Sequence, residues 1–205
     1  MTFDPNQLLS NPASLLAVKH LASAPAPLAV DPEPAAPPPP FSPVLYENAF
    51  SRLGMMNIAN VADLGCGAGN FTSVMERRGQ RREVYLGVDI SHAQIKTAKA
   101  AYPDWNFIYG DFRSPQVIER YERFEAYLLL NVMDVLEDEL SFLELVPSGK
   151  PLLFNMPRFP KEGSLRYYEE MGELRDRYSG LLSVKSAGRL MLGSEAYYMV
   201  VGVRW

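Results

Sequence analysis

Ten residues, Val61-Ala62-Asp63-Leu64-Gly65-Cys66-Gly67-Ala68-Gly69-Asn70, constrain this chain more than any others. Three glycines at alternate positions cannot prolong an apolar strand or a helix, because each weakens either element through its conformational freedom. The stretch reads as a strand, a tight turn and a helix that opens at Asn70. Such a turn leaves backbone N–H groups unhindered at the carboxyl edge of a sheet, where open α/β sheets take their ligands. The pattern is not specific on its own, since many phosphate- and nucleotide-binding loops share it.

The rest of the chain repeats this rhythm. Apolar runs at Asn60–Leu64, Val84–Ile90, Asn106–Tyr109, Ala126–Asn131 and Leu152–Met156 predict five strands. Helices are predicted at Tyr46–Met55, from Asn70 to about Arg78, after Ser91, at Glu139–Val146 and at Ser164–Tyr178. Ser91 and Gln94 carry a capping-box signature. Short unbroken apolar strands between helices imply a parallel sheet covered on both faces. Two last strands, about Leu181–Lys185 and Ala196–Val203, are joined by a glycine-bearing connection (Gly188–Gly193) too short for a helical crossover. That pair should be antiparallel. The expected fold class is α/β, a doubly wound, mostly parallel seven-stranded sheet with an antiparallel final strand.

Proline marks the limit of the pattern. Of 17 prolines, 11 fall within Met1–Pro43, where none of the 14 glycines lies. Such a segment favours extended polyproline II over helix or sheet, so residues 1–43 read as an arm or linker and 44–205 as the domain. Within the arm, Leu15, Leu16, Val18 and Leu21 stand near helical spacing and suggest a short amphipathic helix. The arm is expected to fold over the domain as a lid or to join a second copy in a homodimer. A net charge of -4 argues against non-specific nucleic-acid binding. One cysteine and two histidines leave neither an internal disulfide nor a Cys/His metal site. No run approaches the roughly 18 apolar residues of a membrane span, and the start lacks a basic n-region. A cytoplasmic location with no membrane partner follows as the expectation.

Two further carboxylates sharpen the reading of the glycine turn. Asp89 ends the second strand, where it can accept both hydroxyls of a ribose. Asp111, in Gly110-Asp111-Phe112, ends the third strand, where it can accept from an exocyclic amine while Phe112 packs on a ring. Three successive strands ending at acid-bearing turns on one sheet edge are hard to explain as caps or surface charges alone.

On these residues the chain resembles the class I S-adenosylmethionine-dependent methyltransferases. VADLGCGAGN matches the family's first motif, GVDIS (Gly87–Ser91) its ribose-binding strand end and GDF its third strand end. LLLNVMDVLEDELSFL (Leu128–Leu143) looks like the fourth strand and following helix, and PSGKPLLFNMP (Pro147–Pro157) like the fifth strand after its Pro–Gly turn. The likeness runs from about Tyr46 to Trp205. It implies a Rossmann-like methyltransferase fold, with the seventh strand between the fifth and sixth, and S-adenosylmethionine as cofactor. Asp63, Gly65, Cys66, Gly67 and Asn70 would hold its amino-acid end, and Asp89 with Ile90 its ribose. Asp111 and Phe112 would receive adenine, and the Asn131 backbone would lie near the sulfonium and amino group.

The nicotinamide alternative is weak, because Gly65-x-Gly67-x-Gly69 departs from Gly-x-Gly-x-x-Gly and no Tyr-x-x-x-Lys pair exists. Many small-molecule O-methyltransferases have a histidine after the fourth strand; here stands Asn131-Val132-Met133-Asp134-Val135. Asp134 is thus the candidate base or acceptor-orienting residue, with a helix N-cap as the competing reading. The Asn/Asp-Pro-Pro-aromatic motif of amino-directed nucleic-acid and protein enzymes is absent, and little sequence is left for a recognition domain. A small-molecule acceptor is therefore expected, with Tyr46 and Arg158 as candidate substrate-binding residues. Arg158 could fork onto a carboxylate or phosphate, or simply pair with a neighbouring acid. No metal is expected. The competing functional reading is a catalytically inactive, cofactor-binding subunit of the same fold.

Overall fold

A computed structural model of the chain describes residues 43–205. The proline-rich arm, and with it the short helix expected there, falls outside the described residues. The elements follow in the order α1 (Pro43–Met55), β1 (Val61–Leu64), α2 (Asn70–Arg77), a 3-10 turn at Arg82–Val84, β2 (Tyr85–Asp89), α3 (His92–Ala101) and β3 (Phe107–Tyr109). Then come α4 (Pro115–Tyr121), β4 (Ala126–Leu129), α5 (Glu139–Leu145), β5 (Pro151–Pro157), α6 (Met171–Tyr178), β6 (Leu182–Leu192) and β7 (Glu195–Arg204).

All seven strands join one sheet in the order β3-β2-β1-β4-β5-β7-β6. The first five pair in parallel, while β7 runs antiparallel to both β5 and β6. This is the doubly wound sheet the sequence predicts, with the last strand inserted where the family resemblance puts it. Strand order reverses between β1 and β4, which opens a crevice at their carboxyl ends.

Side chains alternate across the pleat, so each strand feeds both cores. Ala62, Leu64, Tyr127, Leu129, Phe154 and Tyr198 pack with Tyr121 of α4, Phe142 of α5 and Leu174 of α6. Val61, Tyr85, Leu128, Leu153 and Met199 pack with Leu53 of α1, Phe71 of α2 and Ile95 of α3. Each fully buried Leu, Val or Phe stabilises the fold by about 1.5–3 kcal/mol. The same alternation puts Asp63, Gly87, Asp89, Asn155 and Tyr197 on the face that α1, α2 and α3 cover.

Gly87 is the residue opposite Asp63 on β2. A Cβ there would stand 2.6 Å from the Phe107 ring and 2.9 Å from Cys66 Sγ. Gly87→Ala is therefore expected to cost about 2 kcal/mol through overpacking, read as a lower midpoint in urea unfolding with an unchanged slope.

Three expectations need correction. The helix placed at Ser164–Tyr178 begins only at Met171. The backbone before it is committed elsewhere: Leu165 N–H donates to the Asp134 carbonyl at 2.8 Å and Tyr168 N–H to the Pro157 carbonyl at 3.1 Å. The two final strands are also longer than predicted. Gly188 lies inside β6 opposite Met199, and only Gly193 and Ser194 make the turn. Lastly, α4 went unpredicted, because Pro115 masks a helix that it in fact opens at the first turn.

Candidate functional site

The glycine turn owes its shape to packing on one side and openness on the other. Gly65 has φ +85°, and a Cβ on it would stand 2.4 Å from Val132 Cγ2. Gly67 has φ +54°, and its missing Cβ would meet nothing nearer than Gln94 Oε1 at 4.0 Å. Backbone torsions of this sign suit glycine and few other residues. The turn thus rests against Val132 and leaves its middle glycine accessible.

Asp89 ties this turn to the next helix. Its Oδ2 accepts the Gly67 N–H at 2.8 Å, and its Oδ1 accepts the Ser91 N–H at 2.8 Å. Ser91 Oγ in turn accepts the Gln94 N–H at 3.3 Å. Half of the expected capping box therefore forms, with Asp89 taking the bond that Gln94 would have made. Ile90, next in sequence, is 62% exposed at the crevice edge.

Asp63 sits inside β1 rather than at its end and is only 3% exposed. The Tyr85 hydroxyl donates to its Oδ2 at 2.9 Å. Burial, with a smaller contribution from the Asp89 carboxylate, pushes its pKa up to about 7 against the pull of the Tyr85 bond. Burial also pushes the Cys66 thiol up, so the cysteine behaves as a small packing residue beneath the turn. Asn70 Nδ2 donates to the Tyr46 hydroxyl at 3.5 Å, and burial raises that hydroxyl to about 12. Tyr46, Asp63, Cys66, Asn70 and Asp89 are thereby brought together.

At the end of β3 the arrangement differs from expectation. Asp111 gives both carboxylate oxygens to the Arg113 guanidinium, at 3.0 and 2.9 Å, and accepts the Arg113 N–H as well. Arg113 holds its carboxyl below the ordinary range. Phe112 turns inward, edge-on to Phe142 with ring centres 5.1 Å apart. Tyr109, opposite Asp89 on β3, keeps an exposed ring braced edge-on by His92.

Beyond β4, Asn131 has φ +59°, a conformation asparagine tolerates. It is locked by Asn155 of β5: the Asn131 N–H donates to Asn155 Oδ1 at 2.7 Å, and Asn155 Nδ2 donates to Asn131 Oδ1 at 2.9 Å. Asp134 lies in the following turns and does not cap a helix; Asp138 caps α5, accepting the Ser141 N–H. Asp134 is 4% exposed, with Oδ2 accepting the Ser164 hydroxyl at 2.5 Å and Oδ1 without a hydrogen-bond partner among the described residues. The Tyr197 hydroxyl is raised by burial and by Glu195, to which it donates, and further by the nearby Asp134 charge.

Arg158 is neither a free fork nor the partner of an acid. Its Nε donates to the Tyr198 hydroxyl at 3.1 Å, its Nη2 to the Glu169 carbonyl at 2.8 Å, and the guanidinium stacks over Tyr198. It pins the segment after β5. A second pin escaped the sequence reading: Glu139, 1% exposed, meets Arg166 and Arg177 at 2.7 Å each. Its signal was an acid in the first turn of an amphipathic helix, which ordinarily faces water. Glu139→Ala is expected to cost about 3 kcal/mol, because it leaves two cations facing a buried gap; the loss reads out in urea unfolding.

Among the described residues no group of three or more His, Cys, Asp or Glu could hold a metal ion, and no helix is long and apolar enough to cross a membrane.

Comparison with known proteins agrees with this geometry. Residues 61–145 match the family model described as a methyltransferase domain. Trans-aconitate 2-methyltransferase of Escherichia coli K12 is 38% identical over 70 residues, which is 34% of this chain and 27% of that protein. The enzyme of the same name from Escherichia coli O139:H28 is 41% identical over 67 residues, 33% of this chain and 26% of its own. The chain thus spans about a quarter of the length of the curated relatives it matches. Among solved structures, magnesium protoporphyrin IX methyltransferase from Synechocystis PCC 6803 with bound SAM has a TM-score of 0.58 at 15% identity, over 78% of each chain. The methyltransferase domain of bacterial CtHen1-C has a TM-score of 0.59 at 15% identity, over 79% of this chain and 98% of its own. These two share the fold. With the seven-stranded order, the glycine turn and the Asp89 strand end in place, residues 61–145 match a methyltransferase domain and the sheet has the Rossmann-like methyltransferase fold.

Proposed function

We propose that this chain binds S-adenosylmethionine across the carboxyl ends of β1 and β2 and transfers its methyl group to an oxygen or nitrogen of a small-molecule acceptor. The observation that carries the reading is the Asp89 carboxylate, which joins the open Gly67 turn to the start of α3 at the strand-order reversal. The residues fit the cofactor. Gly67 leaves room for close approach, Asp89 keeps further lone pairs for ribose hydroxyls, and exposed Ile90 and Tyr109 offer apolar surface to adenine. Asp63, with Tyr46 and Asn70 beside it, faces the amino-acid end, where its negative charge pairs with an ammonium. Gly65 and Cys66 shape the turn beneath. Asp111 and Phe112 close the adenine end as an Arg113-bound acid and a core ring.

When bound, S-adenosylmethionine supplies an already activated methyl electrophile, so what remains for the protein is alignment and proton handling. Asn131, held by Asn155, fixes the backbone between the cofactor and acceptor sides. Asp134 Oδ1 accepts the proton that an acceptor heteroatom loses, and the Arg158 and Glu139 pins keep the segment carrying Ser164 in place against Asp134. The acceptor named for the Escherichia coli relatives, trans-aconitate, is one compound to try.

Isothermal calorimetry with S-adenosylmethionine tests the binding, and release of S-adenosylhomocysteine across an acceptor panel tests the transfer. Micromolar binding with acceptor-dependent release is expected. Failure to bind would end the proposal, while binding without turnover by any acceptor would point to the inactive-subunit reading.

A further inference from the structure

We propose that Asp134 is the recognition centre for an acceptor carrying an amine N–H on an apolar body, and that the same site rejects carboxylates. This deepens the methyltransferase reading and depends on it. Buried carboxylate oxygens in folded proteins almost always have partners. Asp134 is 4% exposed, yet Oδ1 has none among the described residues, while Oδ2 has the Ser164 hydroxyl alone. The residue is no accident of a loose loop, since its own carbonyl holds the Leu165 N–H at 2.8 Å. A carboxylate desolvated this far gains most from a charge-assisted bond to a positive or strongly donating group.

The neighbouring charges sharpen the choice. Four cations on the post-β5 segment and α6 are already bound to protein oxygens. Arg158 serves Glu169 and Tyr198, Lys161 donates to the Tyr197 hydroxyl at 2.9 Å, and Arg166 and Arg177 serve Glu139. A ligand bringing several carboxylates would therefore meet an uncompensated like charge and cations already engaged by the protein. The apolar part of the acceptor has its own surface. Val135, next to Asp134, and Leu165, hydrogen-bonded to it, are both exposed, as are Phe159 and Tyr167 on the same post-β5 segment.

The test uses the full chain saturated with S-adenosylhomocysteine and two matched probes, tyramine and 4-hydroxyphenylacetate, followed by saturation-transfer NMR. The two share a phenol and differ in amine against carboxylate. Tyramine is expected to bind at least tenfold more tightly, and Asp134→Asn to erase that preference. Turnover assays add trans-aconitate, which is expected to release no S-adenosylhomocysteine. Equal binding of the two probes, binding of neither, an undiminished preference in Asp134→Asn, or methylation of trans-aconitate would each overturn the proposal. If Asp134→Asn does not fold, the wild-type probe comparison and the trans-aconitate assay still decide. Calorimetry with S-adenosylmethionine alone separates this outcome from failure of the underlying reading, because Asp134 takes no part in holding the cofactor.

Discussion

Asp89→Ala is expected to weaken binding of S-adenosylmethionine by about 2–4 kcal/mol, roughly 30- to 1000-fold. Two losses combine. The carboxylate no longer receives ribose hydroxyls, and the Gly67 and Ser91 N–H groups lose the acceptor that fixes the turn and the start of α3. The turn must then be ordered by the ligand itself, a cost the native fold has already met. Asp89→Asn keeps one carbonyl acceptor and should lie between the two. Calorimetry on all three proteins gives the comparison, and thermal unfolding of the free proteins separates a local loss from a general one. An affinity for Asp89→Ala within threefold of wild type would remove Asp89 from the site.

The second large effect is on pH. Asp63 titrates near pH 7 in the fold, well above an unfolded aspartate, so between about pH 4 and 7 the folded state holds the extra proton. Stability of the free protein should therefore fall as pH rises through that window, by up to about 1.4 kcal/mol per unit, because the unfolded chain gives up this proton while the fold retains it, and should level off above about pH 7. Cofactor binding should show the opposite trend. A ligand ammonium prefers the ionised carboxylate, so affinity should drop about tenfold per unit below pH 7 and level off above it. The ligand's own ammonium and carboxylate keep their charges from about pH 5 to 7 and do not cause the slope. The groups facing Asp63 are Tyr85 and Asp89 of β2, Tyr46 of α1 and Cys66 of the turn. Both tyrosine hydroxyls and the thiol are raised, leaving Asp63 to titrate in this range. Calorimetry at four pH values should show proton release on binding near pH 6. In Asp63→Asn the slope should vanish; an unchanged slope would assign it elsewhere.

Much of this protein could be read from local chemistry. Alternate glycines after an apolar run, Asp89 at a strand end, and a short apolar strand every twenty to thirty residues are features of consecutive residues. Backbone torsion, burial and chain direction act on them within a few positions. They were enough for the parallel sheet, the antiparallel last pair and the glycine turn after β1. Elsewhere local chemistry misled. Asp134 looks like a cap, because an acid before a helix usually is one; Ser164 and Leu165, thirty residues on, draw it into a buried turn while Asp138 takes the cap. For Arg158 the sequence offers a ligand fork or an acid partner, and the fold supplies instead the Tyr198 hydroxyl and the Glu169 carbonyl, while Arg113 engages Asp111.

By itself, then, the amino-acid order determined the five parallel strands, the antiparallel last pair and where the glycine turn must open. Tertiary structure alone decided which polar groups are spent on the protein and which remain unspent. Hydrogen bonds between distant segments saturate donors and acceptors pairwise, and that pairing exists only once β4, β5 and β7 stand side by side.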